Sequence, residues 1–156
     1  MADTDDATTA ANFNPALWVW GSEDAAPRFL HTMIRVAEWE PALRFYIDGL
    51  GMKILDRFTV EVRRTDLMFI GYADYARGGM IELVRLWDEE DAPTHGTGYG
   101  HIAIGAPDIA ATVAKLAAMG AEILTPPTVL IPGGPQVAFV KDFSGYTIEL
   151  IQTARS

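Results

Sequence analysis

The 156-residue chain contains no cysteine. A thiol nucleophile, a disulfide framework and a zinc site built on thiolates are therefore all excluded. The sequence also lacks any run of about 18 consecutive apolar residues, the length that a membrane-spanning helix requires. Its first residues, MADTDDATTA, have neither the basic start nor the apolar stretch of a secretory signal peptide. These absences predict a cytoplasmic protein that has no membrane partner.

Basic residues are scarce, because 12 Lys and Arg stand against 21 Asp and Glu and leave a net charge of −9. This excess of acid argues against binding to nucleic acid or to an anionic membrane, although a small anionic substrate responds to local fields. An apolar share of 49% over this length is ordinary for one globular domain with a sizeable core.

Residues 1–27 differ from the rest of the chain, since they contain five acids and no Lys or Arg. They predict an acidic leader that is disordered over its first ten residues. Trp18 and Trp20 lie two residues apart, so their indoles point to one face of an extended segment. That face predicts packing on the chain's own domain or, as the alternative, packing across a subunit interface.

An internal repeat occupies the remainder of the sequence. The segment HTMIRV begins at His31 and HIAIGA begins at His101, and each is followed by a helical pattern and then by further strand patterns. Each unit closes on Ile-Glu-Leu. Glu82 follows His31 by 51 positions, and Glu149 follows His101 by 48 positions. Chance would rarely place the same two residue types twice at such similar spacing.

The repeat predicts an α+β domain over residues 28–156, built from two βαβββ units. Its predicted parts are a first unit at 28–87, a polar linker at 88–98 and a second unit at 99–154. The helices are predicted over Glu38–Asp48 and Asp108–Met119, with Asp108 as an N-cap. Each helix ends at a glycine that suits a left-handed C-cap: Gly49 or Gly51 for the first helix and Gly120 for the second.

The two glutamates stand between apolar strand residues, where an unpaired carboxylate costs several kcal/mol. Taken singly, such a glutamate is about as likely to pair with an arginine as to bind a metal. A lone histidine in a strand is more often an ordinary core residue than a metal ligand. Two imidazoles and two carboxylates that converge suit a divalent metal, and the repetition favours ligation by His31, Glu82, His101 and Glu149. His95 has no counterpart in the repeat and is predicted to be solvated.

From about Arg28 to Gln152 the sequence resembles the glyoxalase I (lactoylglutathione lyase) family of the vicinal-oxygen-chelate superfamily. The segments that carry the resemblance are His-Thr-Met-Ile-Arg-Val at 31–36, Phe45-Tyr46, Leu50-Gly51-Met52-Lys53, Phe69-Ile70-Gly71-Tyr72, Ile81-Glu82-Leu83, Tyr99-Gly100-His101-Ile102-Ala103, Ala138-Phe139-Val140, Gly145-Tyr146 and Ile148-Glu149-Leu150-Ile151. The resemblance implies the glyoxalase/bleomycin-resistance/dioxygenase fold. It also implies a homodimer in which His31 and Glu82 of one chain join His101 and Glu149 of the other.

The resemblance further implies one divalent metal per site. The compact spacing between Leu55 and Phe69 resembles the short bacterial form, which implies nickel or cobalt rather than zinc. The implied reaction isomerises the hemithioacetal of methylglyoxal and glutathione to S-lactoylglutathione, by proton transfer through a metal-bound enediolate. Glu149 is implied as the main base and Glu82 as the second metal-linked carboxylate.

Arg35 is a candidate substrate-binding residue. It follows His31 by four positions in one strand, which puts both side chains on the same face about 13 Å apart. At that reach its charge is predicted to hold a glutathione carboxylate. The alternative is an ordinary ion pair at the surface or at an interface.

Two positions depart from the family pattern. Leu86 stands where the family usually has Asn, and Pro132 stands where a Lys commonly precedes Gly133-Gly134. Since both family residues help to hold glutathione, the departures favour an alternative: a related metal-dependent isomerase or epimerase that acts on another thiol adduct or on an acyl-CoA. A non-catalytic binding protein of the same fold is a third reading, which the intact ligand set disfavours.

Overall fold

The computed structural model describes residues 17–18 and 26–155. The disorder predicted for the first ten residues and the placement of Trp20 lie outside the described residues. By its contacts the chain divides into two compact units. Unit 1 contains the described residues through Trp39 together with Gly51–Pro93, and unit 2 contains Glu40–Leu50 together with the described residues from Thr94 onward.

Unit 1 is built on a four-stranded sheet. Its strands are β1 (His31–Arg35), β2 (Lys53–Val60), β3 (Thr65–Gly71) and β4 (Met80–Leu86). They lie side by side in the order β1-β4-β3-β2, with β1 parallel to β4 and the other neighbours antiparallel. A short 3₁₀ turn at Glu61–Arg63 connects β2 to β3, and Arg64 after it takes a left-handed conformation with φ of 50°. The first and last strands of the unit therefore lie next to each other.

Unit 2 repeats this arrangement. Its strands are β5 (Ile102–Ala106), β6 (Ile123–Val129), β7 (Gln136–Lys141) and β8 (Thr147–Gln152). The order is β5-β8-β7-β6, again with the first and last strands parallel. Both sheets thus share one topology, which confirms the predicted α+β fold of two repeated units.

The two predicted helices are present, with one difference of type. The first begins as α1 (Trp39–Leu43) and continues as a π-helical stretch at Arg44–Gly49, whereas the second is α2 (Ile109–Ala118). The side chain of Asp108 accepts a hydrogen bond from the backbone N–H of Ala111 at 2.9 Å, which confirms it as the N-cap. Gly120 has φ of 95°, as a left-handed cap requires, and Gly51 with φ of 72° does this for the first helix. No described helix is long and apolar enough to cross a membrane.

The π-helical stretch supplies part of the core of unit 2. Gly49 packs so closely on α2 that a Cβ there would lie 2.7 Å from Cδ2 of Leu116. The buried hydroxyl of Tyr46 donates a 2.8 Å hydrogen bond to Oδ2 of Asp142. Oδ1 of Asp142 accepts from the backbone N–H groups of Ser144 and Tyr146 and so closes the turn before β8. Burial raises the pKa of Asp142 above its ordinary value, although these hydrogen bonds oppose the shift.

We predict that Tyr46→Phe lowers the free energy of unfolding by about 1–3 kcal/mol, because a buried carboxylate oxygen loses its donor. Chemical denaturation measures this change. The matched control is Tyr99→Phe, which removes a hydroxyl that donates to the backbone oxygen of Thr147 in a less buried position, and a smaller loss is expected. Unchanged stability of Tyr46→Phe would contradict the structural role of this bond.

Candidate metal centre

The structure brings His31 and Glu82 together in unit 1. β1 and β4 run parallel, and Glu82 stands opposite Met33, two residues after His31. Because side chains two residues apart in a strand share a face, the carboxylate and the imidazole lie on the same face of the sheet. Nε2 of His31 is 3.1 Å from Oε2 of Glu82. The two side chains are 29% and 15% exposed, so the pair is largely shielded yet reachable.

His101 and Glu149 form the same arrangement in unit 2. Ala103 stands opposite Glu149 in the parallel pair β5–β8, so the offset from histidine to glutamate is again two residues. Nε2 of His101 is 3.1 Å from Oε2 of Glu149, and the side chains are 44% and 17% exposed. The repeat found in the sequence therefore repeats the local geometry as well as the residue types.

A phenylalanine lies beside each pair. Phe69 on β3 stands opposite Glu82, with its ring centre 5.4 Å from that of His31. Phe139 on β7 stands opposite Glu149, with its ring centre 5.6 Å from that of His101. These rings restrict water on one side of each carboxylate, which strengthens electrostatic interactions there. The sequence reasoning assigned neither ring a place at the site, although both lie in segments of the family resemblance.

Residues from a turn and from the leader surround His31. The hydroxyl of Tyr75, in the turn between β3 and β4, is 2.8 Å from Nδ1 of His31. The indole of Trp18 packs edge-on against Phe69 and Tyr75 at centroid distances of 4.7 and 5.1 Å. Its N–H donates a 2.8 Å hydrogen bond to Asp56. Of the two alternatives predicted for this part of the leader, Trp18 follows the first, since it packs on its own chain.

Burial raises the pKa of Tyr75 well above its ordinary value, and the nearby carboxylates of Glu82 and Asp56 raise it further. The phenol therefore keeps its proton at neutral pH. Sequence reasoning did not identify Tyr75, because it lies in a turn that has no counterpart in the repeat pattern.

Arg35 lies at the far end of β1 from His31. Its Nη1 is 3.4 Å from Oε2 of Glu89, and both side chains are about half exposed. Exposed ion pairs of this kind contribute at most about 1 kcal/mol, so the guanidinium can exchange one carboxylate for another at little cost. Leu86 and Val84 line the same small surface depression as Arg35.

The prediction that His95 is solvated is wrong. Its ring stacks on Tyr146 with centroids 4.0 Å apart, and its Nε2 is buried without a hydrogen-bond partner among the described residues. The cause is tertiary: the turn at Gly145, with φ of 90°, lies so close to the imidazole that a Cβ on Gly145 would be 3.3 Å from Cε1 of His95. Among the described residues, the ring of His95 contacts Tyr99 and Tyr146 and neither of the His–Glu pairs.

Each His–Glu pair fits two ligands of one cation. Ligand atoms that lie about 2.1 Å from an ion at mutual angles of roughly 90–110° are about 3.0–3.4 Å apart, and both pairs fall in this range. Nitrogen and carboxylate donors suit zinc, nickel and cobalt alike. Within residues 17–18 and 26–155, no group of three or more histidine and carboxylate side chains is placed to hold a metal ion. A single pair therefore supplies only half of the predicted ligand set.

The sequence pattern of the Glyoxalase/Bleomycin resistance protein/Dioxygenase superfamily matches residues 28–150. The chain belongs to this superfamily. A probable lactoylglutathione lyase of Vibrio cholerae is 40% identical over 129 residues, which cover 83% of this chain and 93% of the relative.

Two solved glyoxalase I structures are similar to this chain. The enzyme from Zea mays superposes with a TM-score of 0.75 at 29% identity, over 83% of this chain and 46% of the maize chain, so this chain spans about half of that relative. The trypanothione-dependent glyoxalase I of Leishmania major has a TM-score of 0.70 at 35% identity, over 81% of this chain and 87% of its own. These similarities confirm the predicted resemblance to glyoxalase I and the prediction of an enzyme of the lactoylglutathione lyase type.

Proposed function

We propose that the protein is a metal-dependent glyoxalase I, which isomerises the hemithioacetal of methylglyoxal and glutathione to S-lactoylglutathione. One observation carries the proposal: the His–Glu pair occurs once in each unit with the same 3.1 Å separation of Nε2 and Oε2. The similarity to lactoylglutathione lyases over most of the chain supports it. The family implies a divalent metal, and both pairs have the donor chemistry to hold one.

The proposed ligands are His31, Glu82, His101 and Glu149. Because they come as two pairs, we propose that a homodimer completes each site, with the first pair of one chain and the second pair of the other. The short turn between β2 and β3 is in keeping with the compact bacterial form and favours nickel or cobalt over zinc. When bound, the cation supplies Lewis-acid polarisation of the substrate's neighbouring oxygens.

Within this site Glu149 is the proposed base. It removes the proton from C1 of the hemithioacetal, and a proton returns to C2. The reaction is therefore an isomerisation with no net gain or loss of protons. Glu82 is the second carboxylate and is proposed to handle the other proton transfer. Both carboxylates are less than one-fifth exposed and lie beside an aromatic ring, which limits exchange of the transferred proton with water.

Arg35 is proposed to hold a carboxylate of the glutathione portion. Its present partner Glu89 is about half exposed, so a substrate carboxylate can replace it without a large energetic cost. About 13 Å of strand separates it from His31, which leaves room for the tripeptide between the cation and the guanidinium.

The metal and base roles predict that chelator removes activity and that nickel or cobalt restores it more fully than zinc. Glu149→Gln is expected to lower kcat at least about 10²-fold, because general-base catalysis is lost. Formation of S-lactoylglutathione measures both effects. The matched control is Glu122→Gln, an exposed glutamate of the same unit that pairs with Lys141, and it should retain wild-type kcat. The absence of turnover in fully metal-loaded wild-type protein would contradict the proposed activity.

A related isomerase or epimerase that uses another thiol adduct or an acyl-CoA is the second candidate. Leu86 beside Arg35 favours it, since a leucine side chain offers no hydrogen bond to a peptide. Pro132 favours it too, because it stands in a loop whose Leu130 and Ile131 side chains are exposed. The trypanothione-dependent relative is an example of a glyoxalase I described with a thiol other than glutathione.

Steady-state kinetics of Arg35→Gln separate the two candidates. If glutathione is the thiol, KM for its hemithioacetal should rise about 5–30-fold with kcat nearly unchanged, because binding remote from the reacting atoms is lost. KM for the hemithioacetal of a thiol without carboxylates should be the same in Arg35→Gln as in the wild type. Arg64→Gln is the control, because it breaks an equally exposed pair, with Asp88. Faster turnover of an uncharged thiol adduct or an acyl-CoA by the wild type would favour the second candidate instead.

A further inference from the structure

His31 has a polar partner on each of its ring nitrogens. Nε2 faces Glu82 at 3.1 Å, and Nδ1 faces the hydroxyl of Tyr75 at 2.8 Å. Tyr75 itself is only 2% exposed. In unit 2 the imidazole of His101 has its glutamate and its phenylalanine, but no hydroxyl among the described residues bonds to it. The two pairs are therefore alike in the contact between Nε2 and a glutamate, but only His31 has a hydroxyl partner on its other ring nitrogen among the described residues.

The hydroxyl of Tyr75 can bond to Nδ1 of His31 whether or not that nitrogen carries a proton. An imidazole that gives the lone pair of Nε2 to a cation carries its proton on Nδ1, and that N–H needs an acceptor. When Nε2 instead carries the proton and donates to Glu82, Nδ1 needs a donor. A tyrosine hydroxyl serves as either donor or acceptor, so it satisfies Nδ1 in both states, which a carboxylate or a backbone carbonyl cannot do.

The leader holds Tyr75 in this place. The backbone oxygen of Leu17 accepts a hydrogen bond from the N–H of Tyr75 at 3.4 Å, and Leu17 is buried in one apolar cluster with Phe69, Tyr75 and Met80. Trp18 packs against the Tyr75 ring and is anchored by its bond to the buried Asp56. These leader residues precede residue 28, where the match to the superfamily begins.

We propose that Tyr75, fixed by Leu17 and Trp18 of the leader, is a positioning residue that orients His31 so that Nε2 is presented as a metal ligand. This inference rests on the proposed function, which takes His31 as a ligand. It assigns a part in building the site to a segment that lies outside the superfamily match. Tyr75 acts through His31 and does not touch the substrate.

The test compares Tyr75→Phe with Tyr99→Phe, since each removes one hydrogen-bonded phenol hydroxyl and only the hydroxyl of Tyr75 touches a candidate ligand. Competition with a chromophoric chelator measures affinity for zinc and for nickel. Tyr75→Phe is expected to bind about 10–100-fold more weakly, the usual cost of losing a partner behind a metal-bound histidine. Tyr99→Phe should bind as the wild type does. Trp18→Leu should weaken binding in the same direction as Tyr75→Phe.

Nitrogen-15 NMR of the zinc-loaded protein gives a readout that a general loss of stability does not move. The Nδ1 proton of His31 should be observable in the wild type and should exchange much faster with water in Tyr75→Phe. The resonances of His101 should be the same in both proteins. Unchanged far-ultraviolet circular dichroism of Tyr75→Phe confirms that the backbone fold is kept.

The outcomes separate this inference from the proposed function through a third variant, His31→Ala. If His31→Ala binds metal as tightly as the wild type, the ligand assignment fails and the positioning role fails with it. If His31→Ala loses the metal while Tyr75→Phe keeps wild-type affinity and a protected Nδ1 proton, the positioning role is overturned and the ligand assignment stands.

Discussion

Two largely shielded carboxylates, Glu82 and Glu149, set the main constraint on this protein. A charge in such a position is costly unless it has a close partner. In each unit the partner is an imidazole 3.1 Å away, from the first residue of the neighbouring parallel strand in unit 1 and from the residue just before that strand in unit 2. The same groups that need one another in the absence of a cation are the groups best suited to bind one.

The sheet topology is what brings each pair together. With the order first-fourth-third-second, the strand that opens a unit lies beside the strand that closes it, although about 50 residues separate them along the chain. Parallel pairing then fixes the offset between histidine and glutamate at two residues in both units. The antiparallel neighbour adds a phenylalanine on the inner side, Phe69 or Phe139. Among the described residues, only those of unit 1 add a further layer, in which Trp18 and Tyr75 pack around the imidazole of His31.

The features that recur in both units were predictable from the sequence, whereas contacts made in only one unit were not. The spacing of His31 and Glu82 predicted the first pair because the spacing recurs at His101, and the strand patterns predicted both sheets. The contacts of Tyr75 and His95 depend on turns that bring distant residues together, and no periodic pattern reports such contacts. Apolar periodicity also does not distinguish an α-turn from the wider π-turn seen at Arg44–Gly49. The ligand roles, the dimer and the identity of the metal stay predictions, since each unit carries one His–Glu pair, which is half of the ligand set.

We propose that the two repeated His–Glu pairs together form one metal centre. A crystal structure of the nickel- or cobalt-loaded protein, with anomalous diffraction recorded at the absorption edge of the metal, tests this claim most directly. We expect one anomalous peak for each chain, surrounded by Nε2 of His31, Nε2 of His101 and one carboxylate oxygen each of Glu82 and Glu149. A peak bound by only one of the two pairs, or by other residues, would contradict it.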